Sequence, residues 1–136
     1  MDIYAANILE HFKNPIGKGN LEPCSVMHTE KNPSCGDLIT VYLQIDHGVI
    51  THIKWAGDGC AISQAAMSML HEELEGKTVE ETLALQPQFI LDLLGLEISE
   101  RRMKCALLCL HTLINTLHMY NTNDVQSWNT TLALLS

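Results

Sequence analysis

Hydrophobic and polar positions change period along this chain, and each change marks an element. Ile39, Val41, Leu43 and Ile45 alternate with Leu38, Thr40, Tyr42 and Gln44, and after Asp46-His47-Gly48 the alternation resumes at Val49, Thr51, Ile53 and Trp55. A period of two predicts strands with one buried face, so residues 38–55 read as a β-hairpin with a three-residue connection. From Cys60 the apolar positions Ile62, Ala65, Ala66, Met69, Leu70 and Leu74 fall on one side of a helix that ends near Gly76. Thr78 with Glu81 three residues on is a capping box for a short helix, and Pro87 suits the first turn of another that stops at Gly95. Ser99 is placed to cap a last helix over about residues 100–119, with Leu107, Leu110, Ile114 and Leu117 on one face and Cys105, Leu108 and Cys109 on the next.

Ahead of the hairpin, Ala5, Ile8, Leu9 and Phe12 predict a short amphipathic helix that must stop before Pro15, because the residue preceding proline disfavours helix. Residues 14–20 then form a loop, and Cys24 to Thr29 is a candidate first strand. The organisation expected is one domain over residues 1–120 and a tail over 121–136, whose final apolar run either frays or docks.

Composition narrows the function. The chain has 136 residues, 46% hydrophobic and 5% aromatic, enough for one aliphatic core. A net charge of -8 argues against a nucleic-acid partner. No stretch approaches the roughly 18 apolar residues of a membrane span, and the N-terminus lacks a signal-peptide pattern, so the expected location is the cytoplasm. In that reducing compartment five cysteines point to metal or sulfur chemistry before disulfides.

Cys24, Cys35, Cys60, Cys105 and Cys109 contain no Cys-x-x-Cys pair, and a single cysteine is most often a small buried hydrophobe. Context selects three of them. Cys35 and Cys60 adjoin glycines, which suit a backbone that turns or approaches something closely. Cys60 starts a helix and Cys105 lies in the first two turns of another, where the partial positive charge of the terminus favours a thiolate; Lys104 and Arg102 add charge beside Cys105. With Asp37 these thiols make a soft-metal ligand set carrying one harder, weaker member. Cys109 reads as a core residue and Cys24 is given no role. The histidines, such as His47, His52 and His71, read as surface positions.

The strings Ile8-Leu9-Glu10-His11-Phe12-Lys13-Asn14-Pro15, Asn32-Pro33-Ser34-Cys35-Gly36-Asp37, Gly59-Cys60-Ala61-Ile62-Ser63 and Lys104-Cys105 resemble the U-type iron-sulfur cluster assembly scaffolds, the family of IscU, SufU and the N-terminal domain of NifU. The resemblance covers about residues 4–119. It implies an α+β fold with an antiparallel three-stranded sheet packed against several helices, and Cys35, Asp37, Cys60 and Cys105 as ligands of a cluster or zinc. Lys104 stands where IscU-type members carry histidine, as in SufU, while the SufU insertion and the Leu-Pro-Pro-Val-Lys string of IscU are both absent.

Two functions follow from that resemblance. The first is a scaffold that holds a transient [2Fe-2S] cluster, built from iron and sulfur supplied by a cysteine desulfurase, until an apo iron-sulfur acceptor protein takes it. The second is a zinc-dependent sulfurtransferase in which one cysteine leaves the metal to accept sulfur. The expected sulfur acceptor is Cys105, activated by Lys104, for the scaffold and Cys35 for the transferase. A monomer or weak homo-oligomer is expected.

Overall fold

A computed structural model describes residues 2–135. The elements follow the order α1 (Ile3–Lys13), β1 (Val26–Lys31), β2 (Leu38–Asp46), β3 (Val49–Asp58), α2 (Ala61–His71), α3 (Val79–Leu83), α4 (Pro87–Leu94), α5 (Met103–Asn121) and α6 (Trp128–Ala133), with a 3-10 turn over Glu100–Arg102 before α5. The expected α+β class holds. The strands form one antiparallel sheet in the order β1-β2-β3. The first strand begins two residues later than expected and runs on to Lys31.

The hairpin closes more tightly than the alternation predicts. Asp46 pairs with Val49, leaving His47 and Gly48 as a two-residue connection. Both have positive φ, 53° and 76°, the pattern of a type I′ turn whose twist matches that of the strands. The register then shifts: Gln44 faces His52 while Ile45 faces Ile50, so Thr51 is an extra residue on β3. This bulge changes the phase of the strand. Ile50, Ile53 and Trp55 are buried, and Val49 and Thr51 sit only half-buried. Thr51 Oγ1 donates to Asp46 Oδ2 at 2.8 Å and steadies the bulge.

Ile39, Val41, Leu43 and Ile45 of β2 join Ile50, Ile53 and Trp55 in the core, against α5 and α2. Both helices are more deeply enclosed than a one-face stripe suggests. Every residue from Ser63 to Leu70 and from Cys105 to Leu117 is buried. The polar members of α5 remain satisfied: Thr112 Oγ1 donates to Leu108 O and Thr116 Oγ1 to Thr112 O, each at 2.7 Å.

The predicted punctuation is present. Thr78 and Glu81 exchange both bonds of a capping box, Pro87 opens α4, and Gly95 closes it in the left-handed conformation. Ser99 precedes the 3-10 turn and makes no side-chain cap; Met103 begins the α-helix proper. In α1, capped by Asp2, only Ile8 is buried, while Leu9 and Phe12 are exposed because the helix packs on α2 by one narrow edge. Among the described residues no helix is long and apolar enough to cross a membrane.

The apolar end of the tail docks. Trp128 of α6 stacks on His111 with ring centroids 4.0 Å apart, and Thr131 is buried with its Oγ1 2.6 Å from His111 Nδ1.

Candidate metal centre

Three loops converge at one end of the molecule. The turn between β1 and β2 carries Cys35 and Asp37; the end of β3 delivers Cys60 to the N-cap of α2; and the first turn of α5 carries Cys105. Because α2 and α5 pack together against the sheet, their N-termini are brought to the β1–β2 turn.

Ligand atoms of Cys35, Asp37 and Cys105 all lie within 4.8 Å of one another. Cys35 Sγ is 3.7 Å from Cys105 Sγ. Two thiolates bound tetrahedrally to zinc at about 2.3 Å sit about 3.8 Å apart, so this pair already has the spacing zinc requires. Cys60 stands at the rim. Its thiol rests 3.9 Å from Ser63 Oγ, and its backbone N–H donates to Asp37 Oδ2 at 3.3 Å. The four residues expected to act together therefore meet as a close trio with Cys60 alongside.

Asp37 is pressed into this corner by the local backbone. Gly59 has φ 152°, and a Cβ there would lie 2.6 Å from the Asp37 carboxyl carbon, so only glycine lets the Gly57-Asp58-Gly59-Cys60 segment come so close. Burial raises the Asp37 pKa, but hydrogen bonds from the side chains of Cys35, Cys60 and Ser63 and from the Cys60 N–H outweigh it and hold the carboxyl below its usual value. The carboxylate is thus an anion before any metal arrives.

Cys105 departs from expectation. Burial, the hydrogen bond with Cys35 and the charges of Cys60 and Cys35 push its thiol up to about 12. Only 9% of the residue is exposed, and desolvation of the charged form exceeds the help of the helix terminus. Lys104 lies elsewhere: its ammonium sits 5.9 Å from the Trp128 ring centroid, on α6. Cys35 and Cys60 are the exposed thiols. Cys109 is fully buried, as its apolar neighbours predict, and burial pushes it up to about 12.

Three features escaped sequence reasoning. Asn32 is buried and reaches Cys105 Sγ with Nδ2 at 3.4 Å; its place before Pro33 was the available signal. Ser63 is buried three residues after Cys60, the spacing at which a side chain turns back on a helix start, and its Oγ donates to Cys60 O. The third is a histidine network inside the fold. His28 Nε2 is 2.6 Å from Glu30 Oε2, Asn115 Nδ2 donates to the same oxygen at 3.0 Å, and His111 Nε2 is 3.5 Å from Glu30 Oε1. Surface placement holds for His47 and His52, whereas His71 is half-buried with Nε2 on Ile53 O and His111 is buried. Burial lowers the His111 pKa, Glu30 opposes the shift and His28 reinforces it.

The chain is similar to known proteins in sequence and in fold. Residues 3–127 match the NifU-like N terminal domain. Iron-sulfur cluster assembly scaffold protein IscU 1 of Archaeoglobus fulgidus is 35% identical over 104 residues, which cover 76% of this chain and 67% of that one. Zinc-dependent sulfurtransferase SufU of Bacillus subtilis is 36% identical over 87 residues, 64% of this chain and 58% of that protein, so the match spans less than two thirds of its length. Among solved structures, a candidate iron-sulfur cluster assembly scaffold of the SUF system from Fervidobacterium islandicum superposes with a TM-score of 0.69 at 31% identity, over 85% of this chain and 96% of the other. The N-terminal part of a NifU-like protein from Brucella abortus reaches 0.73 over 90% of this chain and 96% of its own, at 24% identity, which speaks to the fold alone.

Proposed function

The chain belongs to the NifU-like N-terminal domain family, and we propose that it is a scaffold on which an iron-sulfur cluster is assembled and from which it is handed on. The observation that supports this most is the gathering of two sulfurs and one carboxylate within 4.8 Å at an edge where Cys35 is exposed. Thiolates suit iron in a cluster, and Cys60 supplies the third. Asp37 is a harder ligand that exchanges more readily, so cargo held partly through it can leave. Iron and sulfur are the substrates, a cysteine desulfurase is the sulfur donor and an apo iron-sulfur protein the acceptor. In this reading residues 1–120 are the scaffold unit, 121–136 are its tail, and the protein works in the cytoplasm.

A second reading, zinc-dependent sulfur transfer, is favoured by the contrast between exposed Cys35 and buried Cys105. Zinc would be held by Cys35, Asp37, Cys60 and Cys105 and would supply a thiolate at neutral pH. The Cys35 thiolate attacks the outer sulfur of the desulfurase persulfide, the S–S bond breaks, and the desulfurase thiolate leaves. Exposure favours Cys35 as acceptor under both readings, in place of Cys105.

Anaerobic purification, metal analysis and a visible spectrum test the pair, followed by incubation with desulfurase and cysteine and mass spectrometry of trapped persulfides. A coloured protein whose cluster is lost in Cys35→Ser, Cys60→Ser and Cys105→Ser supports the scaffold. A colourless zinc protein labelled at Cys35 supports transfer. Label confined to Cys24 or Cys109, with metal content unchanged in the serine variants, rejects the site.

A further inference from the structure

Asn32 follows β1 directly and is 1% exposed. All of its polar groups that face the turn are engaged. Its N–H donates to Asp37 O and its carbonyl accepts from Gly36 N–H, each at 2.8 Å; its Oδ1 accepts from Ser34 N–H at 3.0 Å. Its Nδ2 is 3.4 Å from Cys105 Sγ. A backbone N–H can only donate, so the Ser34 contact determines which end of the amide is oxygen, and the NH2 end therefore faces the sulfur.

An asparagine serving only to make this turn needs its oxygen alone, and aspartate or serine would do the same work. Here the other end of the amide reaches across the fold to a thiol on a different element. Hydrogen bonds to sulfur withdraw charge from a metal-bound thiolate, and partners behind the ligands tune and orient them. The need is real in this chain, where a site of three thiols and a carboxylate sits in a protein of net charge -8.

We infer that Asn32 is a positioning residue for the Cys35, Asp37 and Cys105 site: its side-chain Oδ1 holds the loop, and its side-chain NH2 donates to the Cys105 sulfur and tunes it as a ligand. The inference rests on the metal-site reading above. It separates Asn32 from a simple turn residue, because the two ends of one amide do different work.

Cobalt(II) is the probe, with zinc competition for affinity and amide hydrogen exchange at Ser34 for the loop. Asn32→Ala loses both bonds: zinc affinity falls about tenfold to hundredfold, the thiolate-to-cobalt band moves to lower energy, and Ser34 exchanges faster. Asn32→Asp keeps the side-chain acceptor and lacks the side-chain NH2, so Ser34 stays slow while the cobalt band still moves to lower energy. That dissociation is the expected signature, and Asn32→Asp decides alone if the alanine variant fails to fold. A cobalt band in place in Asn32→Asp overturns the tuning role while leaving the metal site intact. Failure of the unsubstituted protein to bind cobalt through thiolates overturns the site reading itself, and this inference with it.

Discussion

The sulfurs of Cys35 and Cys105 lie 3.7 Å apart although 70 positions separate them in the chain. The pair is unequal. Cys105 is fixed in the first turn of a buried helix with Asn32 behind it, while Cys35 sits exposed on the β1–β2 turn. One sulfur is enclosed and the other faces solvent.

Replacing Asp37 with alanine leaves the three thiols but removes the oxygen proposed as the exchangeable ligand. The reconstituted cluster should outlive that of the unsubstituted protein, read as slower decay of sulfur-to-iron absorption with an apo-acceptor present; faster decay would reject the role. The same substitution tests acid stability. Because the folded carboxyl titrates below its usual value, its stabilising contribution is present above about pH 4 and is lost as pH falls through that lower folded value. Thermal unfolding of Asp37→Ala should therefore vary less with pH on the acid side.

Gly59→Ala is expected to damage the site more than the fold. Its new Cβ would meet the Asp37 carboxyl, and φ 152° is itself unfavourable for a side chain. The strain should cost about 1–3 kcal/mol and weaken zinc binding by at least about tenfold. Chelator competition and urea unfolding measure the two separately, and unaltered zinc affinity would count against the close approach of Gly59 and Asp37.

Thiol reactivity should follow exposure. Near neutral pH an alkylating reagent should modify Cys35 and Cys60 well before Cys105 and Cys109, whose thiols are each pushed up to about 12. Raised folded values mean that native packing of these thiols stabilises fully below their unfolded pKa near about 8.5 and loses that contribution as pH rises toward the folded value. Peptide mass mapping over a time course gives the order, and early labelling of Cys105 would contradict its burial.

The tail should contribute to stability through Trp128. Its ring stacks on His111 and lies beneath the Lys104 ammonium, so Trp128→Ala should cost about 1–3 kcal/mol in urea unfolding followed by circular dichroism. Loss of less than about 0.5 kcal/mol would show that α6 adds little to the packed core.

Local signals were legible in the chain because they depend on neighbours a few residues away. Alternation marked β2 and β3, Thr78 and Glu81 marked a helix start, and Gly95 marked a helix end. The strings around Cys35, Cys60 and Cys105 pointed to a candidate ligand set, since a metal site demands particular residue types whatever surrounds them; of that set the fold gathers Cys35, Asp37 and Cys105 closely. Tertiary structure decided what depends on distant packing. It enclosed Cys105 and so raised the pKa that a helix start alone would lower; it drew His111 inward against Glu30 and Trp128; and it aimed the Asn32 amide at a sulfur 73 positions away. The bulge at Thr51 belongs with these, because the phase of β3 is set by its pairing with β2 and by what the core accepts. Periodicity along a chain reports which side of an element is apolar, whereas burial, and with it the energy of every charge and hydrogen bond in the site, is set by the elements that close over it.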